Sequence, residues 1–190
     1  GRPALADTGR HRPTSAAQYA TMMQIRRILA LDPSSTVCGF AIGNTRGEIE
    51  QAGLLKPSGK HQAIERAEEI AREVVDLIEL WGIDAVVVEP PAPAAAPRKG
   101  QNQRGQATYG MAVGIIWATI RWHWSTPIES VPADLWTRHR SKARRIEEIA
   151  ARITSYDKAS DPGGDCADAI GLLEWWAEKE RMRPDAAIRN

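Results

Sequence analysis

Cysteine, phenylalanine and histidine are scarce in this sequence, and long apolar runs are absent. Among 190 residues there are two cysteines, one phenylalanine and four histidines. Two cysteines are too few for the disulfide framework of a small secreted domain, so we expect a reducing, cytoplasmic environment. No segment has the roughly 18 consecutive apolar residues that a membrane-spanning helix needs, and no secretory signal peptide is visible. We therefore expect a soluble, intracellular protein with no membrane partner.

A strong net charge is also missing, because the formal charge at pH 7 is only +1. Any attraction to a polyanion must therefore come from local clusters of charge rather than from a field of the whole molecule. One such cluster is present at residues 138–145, RHRSKARR, which contain five Lys/Arg and no acid. The opposite sign dominates residues 65–79, where six acids accompany two arginines. The basic segment is the natural candidate for contact with nucleic acid.

The length of 190 residues and the hydrophobic content of 43% are sufficient for one domain with a sizeable core. Residues 1–24 lack hydrophobic periodicity, so we expect a flexible leader, part of which could originate from an expression vector. We expect residues 183–190 to form a flexible C-terminal tail. The folded domain is therefore expected at residues 25–182.

The hydrophobic pattern of this domain alternates between strand-like and helix-like segments. Three short apolar strands near its start are joined by tight turns and should form an antiparallel meander. A continuous apolar segment, DAVVVE, is typical of a parallel strand that is buried on both faces. The predicted strands are 26–32, 37–44, 47–56, 84–89 and 127–131, and the predicted helices are 61–82, 105–122, a segment from about 132, 143–154 and 165–181. This order predicts an α/β domain in which helices flank a mixed five-stranded sheet, with three antiparallel strands followed by two parallel ones.

Four carboxylates fall at positions where this arrangement would bring them together. Asp32 ends the first strand and Glu89 ends the strand after the first long helix, so parallel neighbouring strands would place both at the same edge of the sheet. Asp165 and Asp168 are three residues apart and share one face of the first turn of the last helix. Hard oxygen ligands of this kind suit Mg²⁺ or Mn²⁺, and a cluster of four suggests two-metal-ion hydrolysis of phosphodiesters.

Each acid also has an ordinary structural explanation. Asp32 could cap the turn of the segment DPSS, and Glu89 could be a solvated strand end. Asp165 could be a helix N-cap, with Asp168 favourable to the helix dipole. All these explanations would have to hold at the same time, however, and four uncompensated anionic groups repel one another. We therefore expect the cluster to bind cations.

The segments LALDPSSTVCGFAI, DAVVVE, RGQATYGMAVGII and DCADAIGL, in this order and at these intervals, resemble the RuvC family of Holliday junction resolvases within the ribonuclease H-like superfamily. The resemblance extends over roughly residues 26–178 and implies a ribonuclease H-like nuclease domain. Such an enzyme would hold two Mg²⁺ (or Mn²⁺) ions per active site. By this resemblance the catalytic and metal-binding acids are Asp32, Glu89, Asp165 and Asp168.

The resemblance also has implications for partners and products. It implies a homodimer that acts on four-way DNA junctions, each subunit cutting one of two strands to leave 5′-phosphate ends, without a small-molecule cofactor. The helix near residues 105–120 would contribute to the subunit contact; alternatively, Gly110 and Gly114 serve only close packing on the sheet. Cellular members place an aromatic side chain in the loop after Glu89, whereas PPAPAAAPRKGQNQR has none. Phage relatives with broader activity on branched DNA are therefore attractive models.

Basic side chains on two segments are candidates for contacts with DNA phosphates. The loop after Glu89 and the basic segment contribute Arg98, Lys99, Arg104, Arg138, Arg140, Lys142, Arg144 and Arg145. By resemblance, Lys142 matches a lysine near the scissile phosphate. Trp136, beside the basic segment, is a further candidate for DNA contact, whereas the tryptophans on apolar helix stripes are expected in the core. The alternative for the basic segment is a solvated surface.

Other functions stay open from the sequence. A ribonuclease H that acts on RNA:DNA hybrids, or a nuclease of flaps and other branches, would use the same acids. An ATPase of the actin-like or sugar-kinase class has a similar first hairpin but needs two such domains around its nucleotide. A non-catalytic DNA-binding protein would have little use for four acids that repel phosphate. We expect the junction endonuclease.

Overall fold

A computed structural model of the chain describes residues 26–34, 36–90 and 103–182, with residues 103–106 described by their backbone alone. The predicted leader, the predicted tail and nearly all of the loop after Glu89 lie outside these residues. Within the described part, none of the helices combines the length and the apolar character that a membrane crossing requires.

The order of strands and helices in the described residues follows the predicted one closely. The strands are β1 (Arg27–Pro33), β2 (Cys38–Asn44), β3 (Ile49–Leu55), β4 (Ala85–Val88) and β5 (Ile128–Ser130). The helices are α1 (Ala63–Trp81), α2 (Gln103–His123), α3 (Ala133–Thr137), α4 (Lys142–Arg152) and α5 (Asp165–Arg181), with a short 3₁₀ turn, Lys158–Ser160, before α5.

The five strands form one mixed sheet in the order β3-β2-β1-β4-β5. β1 pairs antiparallel with β2, and β2 pairs antiparallel with β3. β4 pairs parallel with β1, and β5 pairs parallel with β4. The predicted mixed sheet is therefore confirmed, and β1 and β4 lie side by side at its centre.

Different helices bury the two faces of the sheet. Leu29 and Leu31 of β1 belong to a hydrophobic core that includes residues of α1 and α2. Ile28 and Ala30, which project to the other face, belong to a second core with residues of α3, α4 and α5. Burial of each leucine or isoleucine side chain contributes about 1.5–3 kcal/mol relative to exposure. Both faces of β1 are buried. This explains why apolar and polar residues do not alternate along the strand.

The start of β4 is held level with the start of β1. Gly82, with a left-handed φ of 58°, ends α1 and turns the chain back towards the sheet. The Asp84 N–H then donates to the Arg27 carbonyl oxygen over 2.8 Å, and the Arg27 N–H donates to the Asp84 carboxylate over 2.7 Å. Because the two strands begin together and run parallel, their carboxyl ends reach the same edge of the sheet.

Candidate active site

Asp32 and Glu89 lie side by side at the carboxyl edge of the central strands. β1 and β4 pair in parallel register, and the Glu89 N–H donates to the Leu31 carbonyl oxygen over 3.1 Å. Side chains alternate along a strand, so Asp32 shares a face with Ala30, and Glu89 shares a face with Val87. Ala30 and Val87 both belong to the core beneath α3, α4 and α5. The two carboxylates therefore project on the side of the sheet that α5 covers.

Gly39 allows the first turn of α5 to reach these carboxylates. It lies directly opposite Asp32 in the β1–β2 ladder. A Cβ atom at position 39 would lie 2.0 Å from the carbonyl oxygen of Asp165 and 2.8 Å from the backbone nitrogen of Cys166. Glycine is needed here because no side chain fits between the strand and the helix backbone. The N-terminus of α5 thus packs on β2 beside Asp32.

Two further residues fix the start of α5. Gly164 is the N-cap, with a φ of 72° that favours glycine, and a Cβ there would lie 2.5 Å from Ile146 and 2.9 Å from Lys142. The buried carboxylate of Asp161 accepts a hydrogen bond of 3.0 Å from the Ala167 N–H. It thereby supplies the capping oxygen that Gly164 lacks. The sequence did not single out Asp161, because its partner lies six residues away across a turn.

Asp165 and Asp168 occupy the first turn of α5 and are neutralised by two cations from α4. Gly164 rather than Asp165 is the N-cap, so Asp165 is the first helical residue. The Lys142 ammonium lies 2.9 Å from Asp165 Oδ1 and 3.1 Å from Asp168 Oδ2. Arg145 pairs with Asp168 through two bonds, Nε to Oδ1 at 2.8 Å and Nη2 to Oδ2 at 2.9 Å. Asp168 is only 4% exposed, so this pair is shielded from water.

The four acids interact electrostatically. Burial raises the pKa of Asp32 well above its ordinary value, and the negative charges of Glu89, Asp168 and Asp165 raise it further. The positive charge of Lys142 lowers this pKa but does not compensate for the other effects. The structure therefore brings together all four acids that the sequence predicted, and a further cation would lower the raised pKa of Asp32.

Trp136 contacts both Glu89 and Arg145 of α4. Burial raises the pKa of Glu89, and a hydrogen bond of 2.8 Å from the Trp136 indole N–H to Glu89 Oε2 opposes this rise. The Arg145 guanidinium lies 5.0 Å from the centroid of the Trp136 ring. Because Trp136 is 1% exposed, no base can stack on it, and the prediction that it contacts DNA is wrong. Its role is to position Glu89 and to pack against Arg145.

The three other arginines of the basic segment, at residues 138, 140 and 144, pair with glutamates. Arg138 contacts Glu178 at 2.5 Å, and Arg140 and Arg144 contact Glu148 at 2.7 and 2.8 Å. Arg144 is the most solvent-accessible of the three, with 70% of its side chain exposed. Outside the described residues lie Arg98, Lys99 and the side chain of Arg104. Contact of these basic residues with DNA stays a prediction.

The donor set fits a hard divalent cation. Carboxylate oxygens are the ligands that Mg²⁺ and Mn²⁺ prefer, and no hydrogen bond to the Asp32 carboxylate is found among the residues the structure describes. In the same part of the chain, no three acidic, histidine or cysteine side chains stand as a ready-made cage. The Lys142 ammonium holds the space between Asp165 and Asp168 instead. Both oxygens of Asp168 accept from Arg145, so a metal ion bound through Asp168 would share these oxygens with Arg145 and Lys142 or displace the two cations.

Tyr109 of α2 is a site residue that the sequence did not indicate. Burial raises its pKa, and the charges of Asp32 and Glu89 raise it further, so its phenol stays neutral beside the acids. Tyr109 lies on the same helix stripe as Val113 and Ile116, which are core residues. This spacing predicts an ordinary core position, and only the packing of α2 on the sheet shows that the acids are near.

Comparison with known proteins identifies the fold. No protein-family model matches the sequence, and no curated protein matches it either. RuvC of Thermus thermophilus in complex with a Holliday junction substrate is similar with a TM-score of 0.64 and 17% identity, over 83% of this chain and 96% of that one. A further T. thermophilus RuvC structure gives a TM-score of 0.60 and 18% identity, over 82% and 96% of the two chains. The yeast mitochondrial Holliday junction resolvase Ydc2 gives 0.54 and 12%, over 83% and 82%.

The chain therefore has a RuvC-like fold of the ribonuclease H-like type, as the sequence motifs indicated. The similar chains confirm the resemblance in fold. Their sequence identities are below one fifth, so the confirmation extends to the fold alone. What the acids do in this chain must be inferred from their own geometry.

Proposed function

We propose that this chain is a divalent-metal-dependent endonuclease that resolves four-way DNA junctions. The convergence of Asp32, Glu89, Asp165 and Asp168 at one edge of a RuvC-like sheet carries the proposal. A junction is the favoured substrate because the T. thermophilus RuvC of the same fold is in complex with a Holliday junction. A protein that only bound DNA would be hindered by four acids that repel phosphate.

The position of each residue in the site indicates its role in the proposed reaction. Asp32 ends the strand next to that of Glu89 and interacts electrostatically with the acids of α5, so it would hold divalent ions together with either of these groups. When bound, the divalent ions would lower the pKa of a water that attacks phosphorus and would stabilise the charge on the departing 3′-oxygen. Trp136 orients Glu89 through its indole N–H. Lys142 keeps an ammonium group at the acids, where it could also contact the scissile phosphate. The products would carry 5′-phosphate and 3′-hydroxyl ends.

A homodimer is part of the proposal, because a four-way junction requires two cuts. On α2, Cβ atoms added at Gly110 and Gly114 would have no described atom within 4 Å. The two glycines therefore do not serve close packing against the described part of their own chain. Trp122, near the end of the same helix, is 87% exposed. These observations favour a subunit contact along α2 over the alternative of packing on the sheet.

The proposal is tested by cleavage of an end-labelled four-way junction, compared with a matched duplex, a flap and an RNA:DNA hybrid. We expect symmetric paired nicks in the junction with Mg²⁺ or Mn²⁺ and no cleavage in EDTA. Asp32→Asn should abolish cleavage and preserve binding, since it removes a metal ligand and reduces the negative charge. Asp76→Asn, an identical change on the exposed side of α1, should cut like the wild type.

The other substrates make the result decisive. Preferred cleavage of the hybrid would indicate a ribonuclease H, and preferred cleavage of the flap would indicate a broader branch nuclease. Normal junction cleavage by Asp32→Asn would contradict the catalytic role of the acid cluster.

A further inference from the structure

A groove lined by arginines lies beside α5, between Gly171 and Arg181. Its volume is about 330 Å³. The basic side chains that line it are Arg46, Arg138, Arg140, Arg152 and Arg181. Two acids, Glu174 and Glu178, also line it, so five positive charges meet two negative ones and three remain in excess. Even when Glu148, the partner of Arg140, is included, two positive charges are in excess.

The charge of the groove is unevenly compensated. Arg152 pairs with Glu174 through both terminal nitrogens, and Arg138 pairs with Glu178. Arg181 donates to a neutral acceptor, the carbonyl oxygen of Arg46, over 3.1 Å. For the Arg46 guanidinium, no acidic partner is found within the described ranges. The end of the groove formed by Arg46 and Arg181 is therefore where an anion would gain most.

The backbone presents Arg46 in a defined position. It lies in the turn between β2 and β3, and its N–H donates to Asn44 Oδ1 over 2.9 Å. The buried Asn44 side chain also donates to Glu48 Oε2 over 2.7 Å, which closes the turn. A guanidinium on a fixed turn loses less entropy on binding a ligand than one on a mobile loop.

The groove and the candidate active site share one buried residue, Trp136. Trp136 lines the groove and at the same time donates to Glu89 among the acids. Gly171 and Arg181, near the two ends of the groove, lie about 9 and 24 Å along α5 from Asp165 at 1.5 Å per residue. The intervening length of about 15 Å corresponds to about four base pairs of duplex DNA at 3.4 Å each.

We infer that this groove binds the sugar–phosphate backbone of one duplex arm of branched DNA, leading away from the strand held at the acids. The inference rests on the proposed function, because the nucleic acid must first place a phosphate at Asp32. Phosphodiesters fit better than a protein carboxylate, since guanidinium groups spaced along a groove match a regular row of phosphates. The arm contact would be independent of base sequence.

The test uses full-length protein in EDTA and a fluorescent four-way junction, with affinity measured at several salt concentrations. Arg46→Gln and Arg181→Gln should each weaken binding about fivefold at 0.15 M salt and lower the salt slope by about 0.9, as expected for one lost phosphate contact. Arg46→Glu should weaken binding further. Arg72→Gln, an equal loss of charge on the exposed side of α1, is the matched control and should bind like the wild type.

Hydroxyl-radical footprinting provides a second readout. Wild-type protein should protect about four successive nucleotides on one arm that the double variant of Arg46 and Arg181 leaves exposed. Unchanged affinity, slope and footprint in these variants would overturn the inference. Wild-type protein that binds junctions without cutting them would overturn the proposed function alone, because the variants would still lose affinity. Wild-type protein that binds no junction would overturn both.

Discussion

Replacement of Arg145 tests whether this residue stabilises the buried Asp168 or binds DNA phosphate. The basic segment predicts that Arg145 contacts phosphate, but in the structure its guanidinium is turned inward onto Asp168. Only 12% of the Arg145 side chain and 6% of the Asp168 side chain are exposed. Arg145→Met keeps the length and apolar stem of the side chain but removes its charge. It leaves the buried Asp168 with Lys142 as its remaining cation.

The expected loss in free energy of unfolding follows from the contacts that Arg145→Met removes. Removal of one partner from a buried ion pair destabilises a protein by about 3–5 kcal/mol. Arg145 also donates to the Arg140 carbonyl oxygen over 2.8 Å and lies over Trp136. Because Lys142 still compensates Asp168 in part, we expect about 3 kcal/mol, near the lower limit. For a chain of 190 residues this corresponds to a fall in Tm of about 6–12 °C.

The assay is urea unfolding followed by tryptophan fluorescence in EDTA, with Arg144→Met as the control. Arg144 precedes Arg145 on the same helix but is 70% exposed, so its replacement should leave the free energy of unfolding close to that of the wild type. The double variant Arg145→Met/Asp168→Asn should lose less stability than the two single losses added together. Equal stability of the two methionine variants, with a reduced salt slope of DNA binding for Arg145→Met, would refute the buried role.

Two further predictions concern the acids and the contact that brings them together. Gly39→Ala should reduce junction cleavage about 100-fold, because the new Cβ would force the α5 backbone to move by roughly 1 Å or more. Gly59→Ala is the control and should cut normally, because the added atom meets nothing described. Full activity of Gly39→Ala would contradict the close approach of α5 to β2. The stability of the metal-free protein should depend on pH because folding raises the pKa of Asp32. The contribution of Asp32 to stability is full below about pH 4, its ordinary pKa, and is lost as the pH rises through the pKa of the folded state. In EDTA, the Tm of Asp32→Asn relative to wild type should therefore increase with pH in melting scans, and a constant difference would show that the Asp32 carboxylate ionises without penalty.

The sheet and its acids could be predicted because they depend on local pattern and general topology. Apolar segments and short turns define the strands, and a helix between β3 and β4 allows β4 to return parallel to β1. Asp32 and Glu89 then reach the same edge without any knowledge of side-chain packing. Asp165 and Asp168 share a helix face by spacing alone. These arguments require only the order of the elements.

The inward cations could not be predicted from the charge of the segment, although the sequence contains a signal. Lys142, Arg145 and Ile149 are spaced by three and four residues along α4, which places both cations on the face of the buried Ile149. Arg144 lies on another face and is exposed. Counting charges gave all of these residues one role, whereas helical periodicity separates them.

The roles of Gly39, Asp161 and Trp136 could not be predicted because their partners are distant in the sequence. Trp136 donates to a residue 47 positions away. Gly39 matters only because the backbone of α5 approaches it. Asp161 caps α5 through a turn whose conformation the sequence does not specify. In each case tertiary packing decides the role, and the residue type alone is compatible with several roles.

The four acids are equivalent in the motif but not in the structure. Asp165 and Asp168 have cations of the protein's own within hydrogen-bonding distance, so α5 docks without any added ion. For Asp32 no such partner is found among the described residues, and burial together with the other acids raises its pKa. An added divalent cation would therefore stabilise the protein most at Asp32. Neutralising Asp32 should stabilise the metal-free protein, whereas neutralising Asp168 should destabilise it by leaving Arg145 buried without its partner.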